Sequence, residues 1–365
     1  MTTRRLTSAS GYTITELLVS TAIMITVTGA IFGLMNPAQG SAQTQPEVAD
    51  LQQRMRVGSD VLFKELVMSG AGPYQGATTG SLINFFAPIL PRRTGRVSPD
   101  PTQGPSSFKT DAITLSYIPN SYSQTTISND MPQVAAELKV FQQANCPKGR
   151  ELCGFEEGMQ VIIFDTSGNF DTFVITQVQD EAGHLQHRQQ PLNFPYATGA
   201  QVTQIVSNTY YLNRTTNQLM RYNGADEDLP IVDNVVDVRF DYFGDPAPPR
   251  LPQPPPGTAN CLYDATGNYI GPAALAADAG SLASLPAAVL TDGPYCGSGV
   301  NQFDADLLRV RKIRVTLRMQ ASLGTLRGSD TNLFMKPGSA LAGERTVPDY
   351  RVGFEVSPRN LNLAR

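Results

Sequence analysis

GYTITELLVSTAIMITVTGAIFGLM, residues 11–35, is the stretch on which the reading of this chain turns. After Glu16 it carries no charge, and the basic pair Arg4 and Arg5 stands upstream, beyond the small polar residues Thr7, Ser8, Ala9 and Ser10. At 1.5 Å per residue, about 19–24 apolar residues span roughly 28–36 Å, the hydrocarbon thickness of a bilayer. Backbone amides in that medium must be satisfied within the segment, so the run predicts a membrane helix. Arg4 and Arg5 predict a cytoplasmic N-terminus and an exported C-terminal bulk. A secretory signal peptide would place an Ala-x-Ala-like site after the apolar run. No clean site of that kind follows closely, and the small polar residues come before the run instead.

Glu16 is the informative residue. A carboxylate at the edge of a membrane helix is costly unless it has a partner. One reading is an ordinary anchor in which Glu16 snorkels to the interface. The other is cleavage after Gly11, which makes Tyr12 a new N-terminus and places Glu16 fifth in the shortened chain. An amine–carboxylate pair between subunits then sets axial register, because a misaligned neighbour leaves both charges unpaired.

Gly11-Tyr12-Thr13-Ile14-Thr15-Glu16-Leu17 resembles the class III leader motif of the type IV pilins, glycine, an aromatic residue, then Thr-Leu-x-Glu-Leu. Tyr12 replaces the usual Phe and Ile14 the usual Leu. The resemblance implies that a prepilin peptidase cuts after Gly11, that Tyr12 becomes the N-methylated terminus, and that Glu16 is the assembly carboxylate.

The remaining composition predicts a β-rich, loop-rich body: charged residues make up 16% of the chain, with 31 Gly and 27 Pro. A net charge of −4 argues against phosphate-backbone binding, so no nucleic-acid partner is expected. Cys146, Cys153, Cys261 and Cys296 all lie beyond the membrane segment, where an oxidising compartment favours disulfides. Three connectivities are open, of which neighbour pairing, Cys146–Cys153 and Cys261–Cys296, is the simplest. Zinc would need tighter spacing than CPKGRELC offers.

Along the chain, Pro37 and Gly40 predict a kink or break in the helix, with a restart at Pro46. Val48, Leu51, Met55, Leu62 and Leu66 recur at helical spacing and predict a face packed on a sheet. Residues 73–110 read as a long loop with Pro91-Arg92-Arg93 exposed. Strands are predicted over 112–118, 137–141, 159–164, 170–178, 200–213, 218–222, 231–243, 307–320 and 350–356. In the turn between the third and fourth of these, Asp165, Ser167, Asn169 and Asp171 alternate as oxygen ligands of a calcium ion can, though the spacing also suits an Asx turn without metal. His184 and His187 read as exposed strand residues. The basic stripe Arg314, Arg318 reads as the solvated face of an amphipathic strand rather than a DNA contact. Residues 245–257, DPAPPRLPQPPPG, predict extended polyproline II at the start of an insertion reaching about 303. No nucleophile-elbow, HExxH, Walker or dinucleotide motif occurs, so neither enzymatic activity nor a cofactor is expected.

Several stretches in order, LFKELVMSGAGPYQG, GMQVIIFDTSGNFDTFVITQV, NTYYLNRTTNQLMRYNG, LPIVDNVVDVRFDYFGD and VRKIRVTLRM, resemble the PilW-type minor pilins. The Pro-rich insertion and both cysteine pairs lie outside that likeness. It implies an α+β, type IV pilin-like fold, with a long N-terminal helix packed on antiparallel sheet. The division is a leader at 1–11, a transmembrane or pilus-core helix at 12–36, an amphipathic second half at 37–72, and a periplasmic body at 73–365. The body is expected to be a single globule, with or without a small inserted subdomain. The implied role is a low-copy subunit that primes pilus assembly and sits at the pilus tip. Implied partners are other minor pilins, the major pilin, a tip adhesin and the inner-membrane assembly machinery. A minor pseudopilin of a type II secretion system shares these features and is the alternative. An unprocessed, anchored surface-binding protein is a third reading.

Overall fold

The computed structural model describes residues 11–73, 80–95, 103–120, 123–133, 135–143, 146–277, 281–341 and 343–363, and for 34–41 and 300 the backbone only. Arg4, Arg5 and most of the expected leader lie outside the described residues. The described chain is α+β. It falls into two compact units, Met1–Gln52 with Gln320–Asp349, and Gln53–Met319 with Tyr350–Arg365.

One helix, α1 (Ile14–Met68), runs through 55 residues without interruption. This corrects the expected break at Pro37 and restart at Pro46. Each proline withdraws only its own amide from the ladder, and the turns around it stay bonded, so a long helix carries the cost of about 3 kcal/mol per proline. In the first unit Leu51 is buried with Ala321, Leu326 and Val347. The expected apolar stripe is displaced there: Val48 is exposed, and Glu47 is buried with Ser322 donating to its carboxylate at 2.7 Å.

In the second unit the strands run in chain order. The first nine are β1 (Ile89–Leu90), β2 (Ala112–Tyr117), β3 (Gln124–Thr126), β4 (Glu137–Lys139), β5 (Gln160–Phe164), β6 (Phe170–Val174), β7 (Gln177–Gln179), β8 (His184–Gln186) and β9 (Gln201–Gln204). There follow β10 (Val206–Asn213), β11 (Gln218–Tyr222), β12 (Asp228–Asp233), β13 (Val235–Gly244), β14 (Ala283–Ser284), β15 (Tyr295–Cys296), β16 (Phe303–Asp304), β17 (Val310–Met319) and β18 (Tyr350–Val356). They form antiparallel sheets ordered β1-β2-β10-β11-β12, β14-β13-β17-β18, β3-β9-β5-β6 and β4-β8-β7, with a small β15-β16 pair.

Three expected strands are each divided between sheets, 170–178 among them, as β6 and β7. The chain turns at Asn234, whose φ of 59° is reachable for asparagine, so 231–243 becomes β12 in one sheet and β13 in another. Likewise 200–213 breaks at Ile205 into β9 and β10. The two long strands β13 and β17 alternate as their sequences demand. Val238, Phe240 and Tyr242 meet Leu317, Val315 and Ile313 on the buried face, while Arg239 and Arg314 lie exposed on the other.

The main core joins Met55, Leu62 and Leu66 of α1 to these faces. Gly58 permits the approach, since a Cβ there would stand 3.2 Å from Met319 Cε and 3.4 Å from Val232 Cγ2. A second core lies among β3–β9 and contains Val161, Phe173, Leu185 and Val202. The insertion is no separate subdomain: Leu262, Leu285, Leu290 and Phe303 belong to the main core. Its proline-dense start carries neither helix nor strand.

Candidate functional site

Two regions concentrate the residues singled out above. The first is the start of α1. Thr13 caps the helix, and Glu16 at the third helical position reaches back to it. Thr13 N–H donates to Glu16 Oε2 at 3.0 Å, Thr13 Oγ1 does so at 3.1 Å, and Glu16 N–H donates to Thr13 Oγ1 at 3.3 Å. This is a capping box, and the Thr-x-x-Glu spacing that announces it is plain in the sequence though the reading above passed over it. Glu16 Oε1 has no partner among the described residues, and Tyr12 beside it is 89% exposed.

Beyond the box the segment Ile14–Gly33 is long and apolar enough to cross a membrane, and none of it is buried. Three of its hydroxyls bond back into the helix: Ser20 donates to the Glu16 carbonyl at 2.7 Å, Thr21 to the Leu18 carbonyl at 2.9 Å, and Thr26 to the Ala22 carbonyl at 2.7 Å. Leu17, Leu18, Ile23, Met24, Ile25 and Phe32 all face outward. A Cβ at Gly11, Gly29 or Gly33 would meet nothing within 4 Å, so packing within the chain does not require these glycines. Such a surface can do one thing in water or out of it, which is to seek an apolar surround.

The second region is the tip of the β5–β6 hairpin and the insertion beside it. The candidate calcium ligands divide their work here. Asp165 Oδ1 accepts from Ser167 N at 2.8 Å and Asn169 N at 3.1 Å, closing an Asx turn. Asp171 is buried and accepts from Asn193 N at 2.9 Å, Phe194 N at 3.2 Å and Tyr196 OH at 2.9 Å. Burial pushes its pKa up despite these donors. The two carboxylates thus serve separate hydrogen-bond sets.

A second turn repeats the first. Asp264 Oδ1 accepts from Thr266 N at 2.9 Å and Asn268 N at 2.8 Å, so D-T-S-G-N at 165–169 and D-A-T-G-N at 264–268 share one design. Hydrogen bonds from turn and backbone donors, led by Thr266, bring Asp264 down to about 2. Asn260 links the insertion to the first turn, donating to Ser167 O at 3.0 Å and Pro252 O at 2.9 Å.

The two histidines are less exposed than expected. His184 lies 3.4 Å from Glu137, and His187 is buried, its Nδ1 at 2.8 Å from Gln190 O. Facing a carbonyl, that nitrogen must carry the proton, and burial lowers the ring's pKa. Arg92 and Arg93 are also buried rather than exposed. Arg92 donates to the carbonyls of Gly104 and Gln302, which offsets its desolvation, and burial lowers it to about 10. Arg93 sits 4.6 Å and 4.2 Å from the Tyr211 and Tyr222 ring centroids and 3.0 Å from Asp228. An exposed PRR in sequence became interior because these acceptors and rings lie far along the chain.

Asp292, Asp304 and Asp306 converge at the end of the insertion, with carboxylate oxygens within 4.8 Å of one another. Asp304 caps the backbone of Asp306 and Gly293 at 2.8 Å and 2.6 Å, and Asp306 lies 2.6 Å from buried Arg309. Burial raises Asp306 to about 7 against the pull of Arg309, with Asp304 and Asp292 adding to the rise. Arg309 in turn donates to the Pro246 and Ala273 carbonyls, so the cluster fastens the insertion at both ends.

Disulfides join Cys146 to Cys153, Cα atoms 5.6 Å apart, and Cys261 to Cys296, 5.0 Å apart. A cleft of about 390 Å³ between β2–β10 and β5–β6 is lined by Phe86, Phe170, Phe303, Gln160, Ser116 and Ser207 among others. No protein-family model, curated protein or solved structure matches this chain.

Proposed function

We propose that this chain is a minor pilin of a type IV pilus, cut after Gly11 and held by α1 first in the inner membrane and then in the pilus core, near the tip. One observation carries the reading. A twenty-residue apolar helix, exposed on every side, begins within three residues of a Gly-Tyr pair and holds a lone carboxylate at its first turn. The capping box occupies only Glu16 Oε2, so a lone anchor leaves Oε1 without a protein partner, whereas a helix that passes from lipid into a bundle of like helices can be offered one. There, Glu16 Oε1 is open to the Tyr12 amine of a neighbour. The helical half that follows is packed on antiparallel sheet, and the disulfides suit an exported body. Partners on this reading are other minor pilins, the major pilin and a tip adhesin.

The test is mass spectrometry of the N-terminal peptide from the sheared pilus fraction. A peptide beginning at N-methylated Tyr12 supports the assignment. The same peptide confined to membranes moves it to a secretion pseudopilin, and an intact 1–11 leader in wild-type cells defeats both.

A further inference from the structure

The β14-β13-β17-β18 sheet ends on β18, and no hydrogen bond reaches the outer edge of β18 among the described residues. Other edges are guarded. Pro230 interrupts β12, and the Gln190 amide covers the end of β6, accepting from Val174 N–H at 2.8 Å and donating to Val174 O at 2.9 Å. β1, β3, β4, β7 and β14 have two or three residues each. β18 offers seven residues with no proline. A row of unpaired amides and carbonyls is a template for one kind of occupant, an extended chain.

The side chains around this edge are also incomplete. On the helix side, Val352 and Phe354 are only half buried, and the Phe354 ring lies 6.4 Å from that of Phe63, which is 48% exposed. Val67, one turn along α1 from Phe63, is exposed too. On the solvent side, the cross-strand rows stop short of balance. Asp241, Arg314 and Glu355 alternate in sign, and Glu355 binds Lys312 and Arg314 at 2.9 Å and 2.6 Å. Two rows on, past Arg239, Thr316 and Gly353, the row reads Asp237, Arg318, Arg351, placing two cations directly opposite. Arg351 is exposed and has no partner among the described residues. Like charges paired across strands are unfavourable, and an acidic residue in the next strand position relieves them.

We propose that the outer edge of β18 accepts an extended strand from another protein chain. That strand carries an acidic residue opposite Arg351 and apolar residues opposite Val352 and Phe354. Main-chain bonds to β18 supply affinity. The apolar residues cover Phe63 and Phe354, and the carboxylate fixes register, because a one-residue slip turns it toward the phenyl rings. This inference stands independently of the pilus reading.

The probe is a fluorescent peptide, Val-Lys-Val-Thr-Val-Glu-Val, titrated into the full chain in detergent and followed by anisotropy and by hydrogen exchange at 350–356. Binding should protect 350–356. N-methylation of alternate peptide amides, which removes the ladder and leaves the receptor untouched, should weaken binding by tenfold or more, on the order of a lost set of backbone bonds. Replacing the peptide Glu by Lys should weaken it about fivefold, and Arg351→Glu should reverse that preference. Absence of protection at saturating peptide, or equal binding of the N-methylated peptide, overturns the proposal. Protection of 350–356 without peptide in a self-associated chain also overturns it, in favour of pairing between copies.

Discussion

Replacing Gly168 and Gly267 separately by alanine divides a conformational cost from a steric one. Both glycines sit fourth in a D-x-[ST]-G-N turn with near-identical backbone, φ +89° and +86°. An L side chain in that region costs about 1–2 kcal/mol. Around Gly267 a Cβ meets nothing within 4 Å, so that cost is the whole effect. At Gly168 the added Cβ would stand 2.4 Å from Pro252 Cγ and 3.2 Å from Pro252 Cβ. Either the proline segment or the hairpin must give way, and overpacking of this kind adds about 1–3 kcal/mol. The expected losses are therefore about 1–2 kcal/mol for Gly267→Ala and about 2–5 kcal/mol for Gly168→Ala. Urea denaturation of the full chain in detergent reads both, using tyrosine fluorescence because the chain has 13 Tyr and no Trp. Hydrogen exchange at 250–263 should rise in Gly168→Ala alone. Equal losses, or a larger loss at Gly267, would refute the claim that the insertion is seated on the first turn.

Arg93→Leu should cost about 2–4 kcal/mol in the same denaturation assay, since it removes two ring contacts and leaves the Asp228 carboxylate with only the Tyr211 hydroxyl. Loss of the Cys261–Cys296 bridge, 35 residues apart, should cost about 3.8 kcal/mol by loop entropy, against about 2.4 kcal/mol for Cys146–Cys153, seven apart, which double Cys→Ala variants compare directly. Asp306 is held near 7, above the ordinary carboxylate value, so the folded chain keeps a proton that the unfolded chain releases. Its contribution is therefore most favourable below about pH 4 and declines as pH rises to 7, and Asp306→Asn should flatten the fall in urea midpoint across pH 5–7. On the pilus reading, Glu16→Val should leave the chain in membranes and remove it from the sheared pilus fraction, as an immunoblot of the two fractions would show.

What the sequence made legible was what depends on neighbours. The alternation in 235–243 and 310–319 needs only the pleat, so the buried faces of β13 and β17 could be read directly. The last strand, 350–356, has the same simplicity. What escaped depends on distant partners. Nothing near Arg92 announces the carbonyl of Gln302, and nothing near Arg93 announces the rings of Tyr211 and Tyr222, so both arginines read as surface. Glu47 took an interior place meant for Val48 because Ser322, far along the chain, satisfies it. The break at Asn234 was local and still missed, because asparagine in a run of strand formers reveals its positive φ only when two sheets compete for the flanks. At the start of α1, by contrast, Thr13 and Glu16 stand at the capping spacing, and their bond needs no distant partner.

The insertion also bears on how this chain could be recombined. A segment that opens with prolines and closes on a disulfide resembles a cassette, something to be exchanged whole between related proteins. Its buried residues deny that. Leu262, Leu285, Leu290 and Phe303 form part of the same core as Val315 and Phe240. Any foreign segment spliced over 245–303 must therefore bring apolar side chains to these four places, among others, or β13 and β17 inherit an open face. Novelty can accumulate in the loops between those four positions, while the positions themselves travel with the sheet.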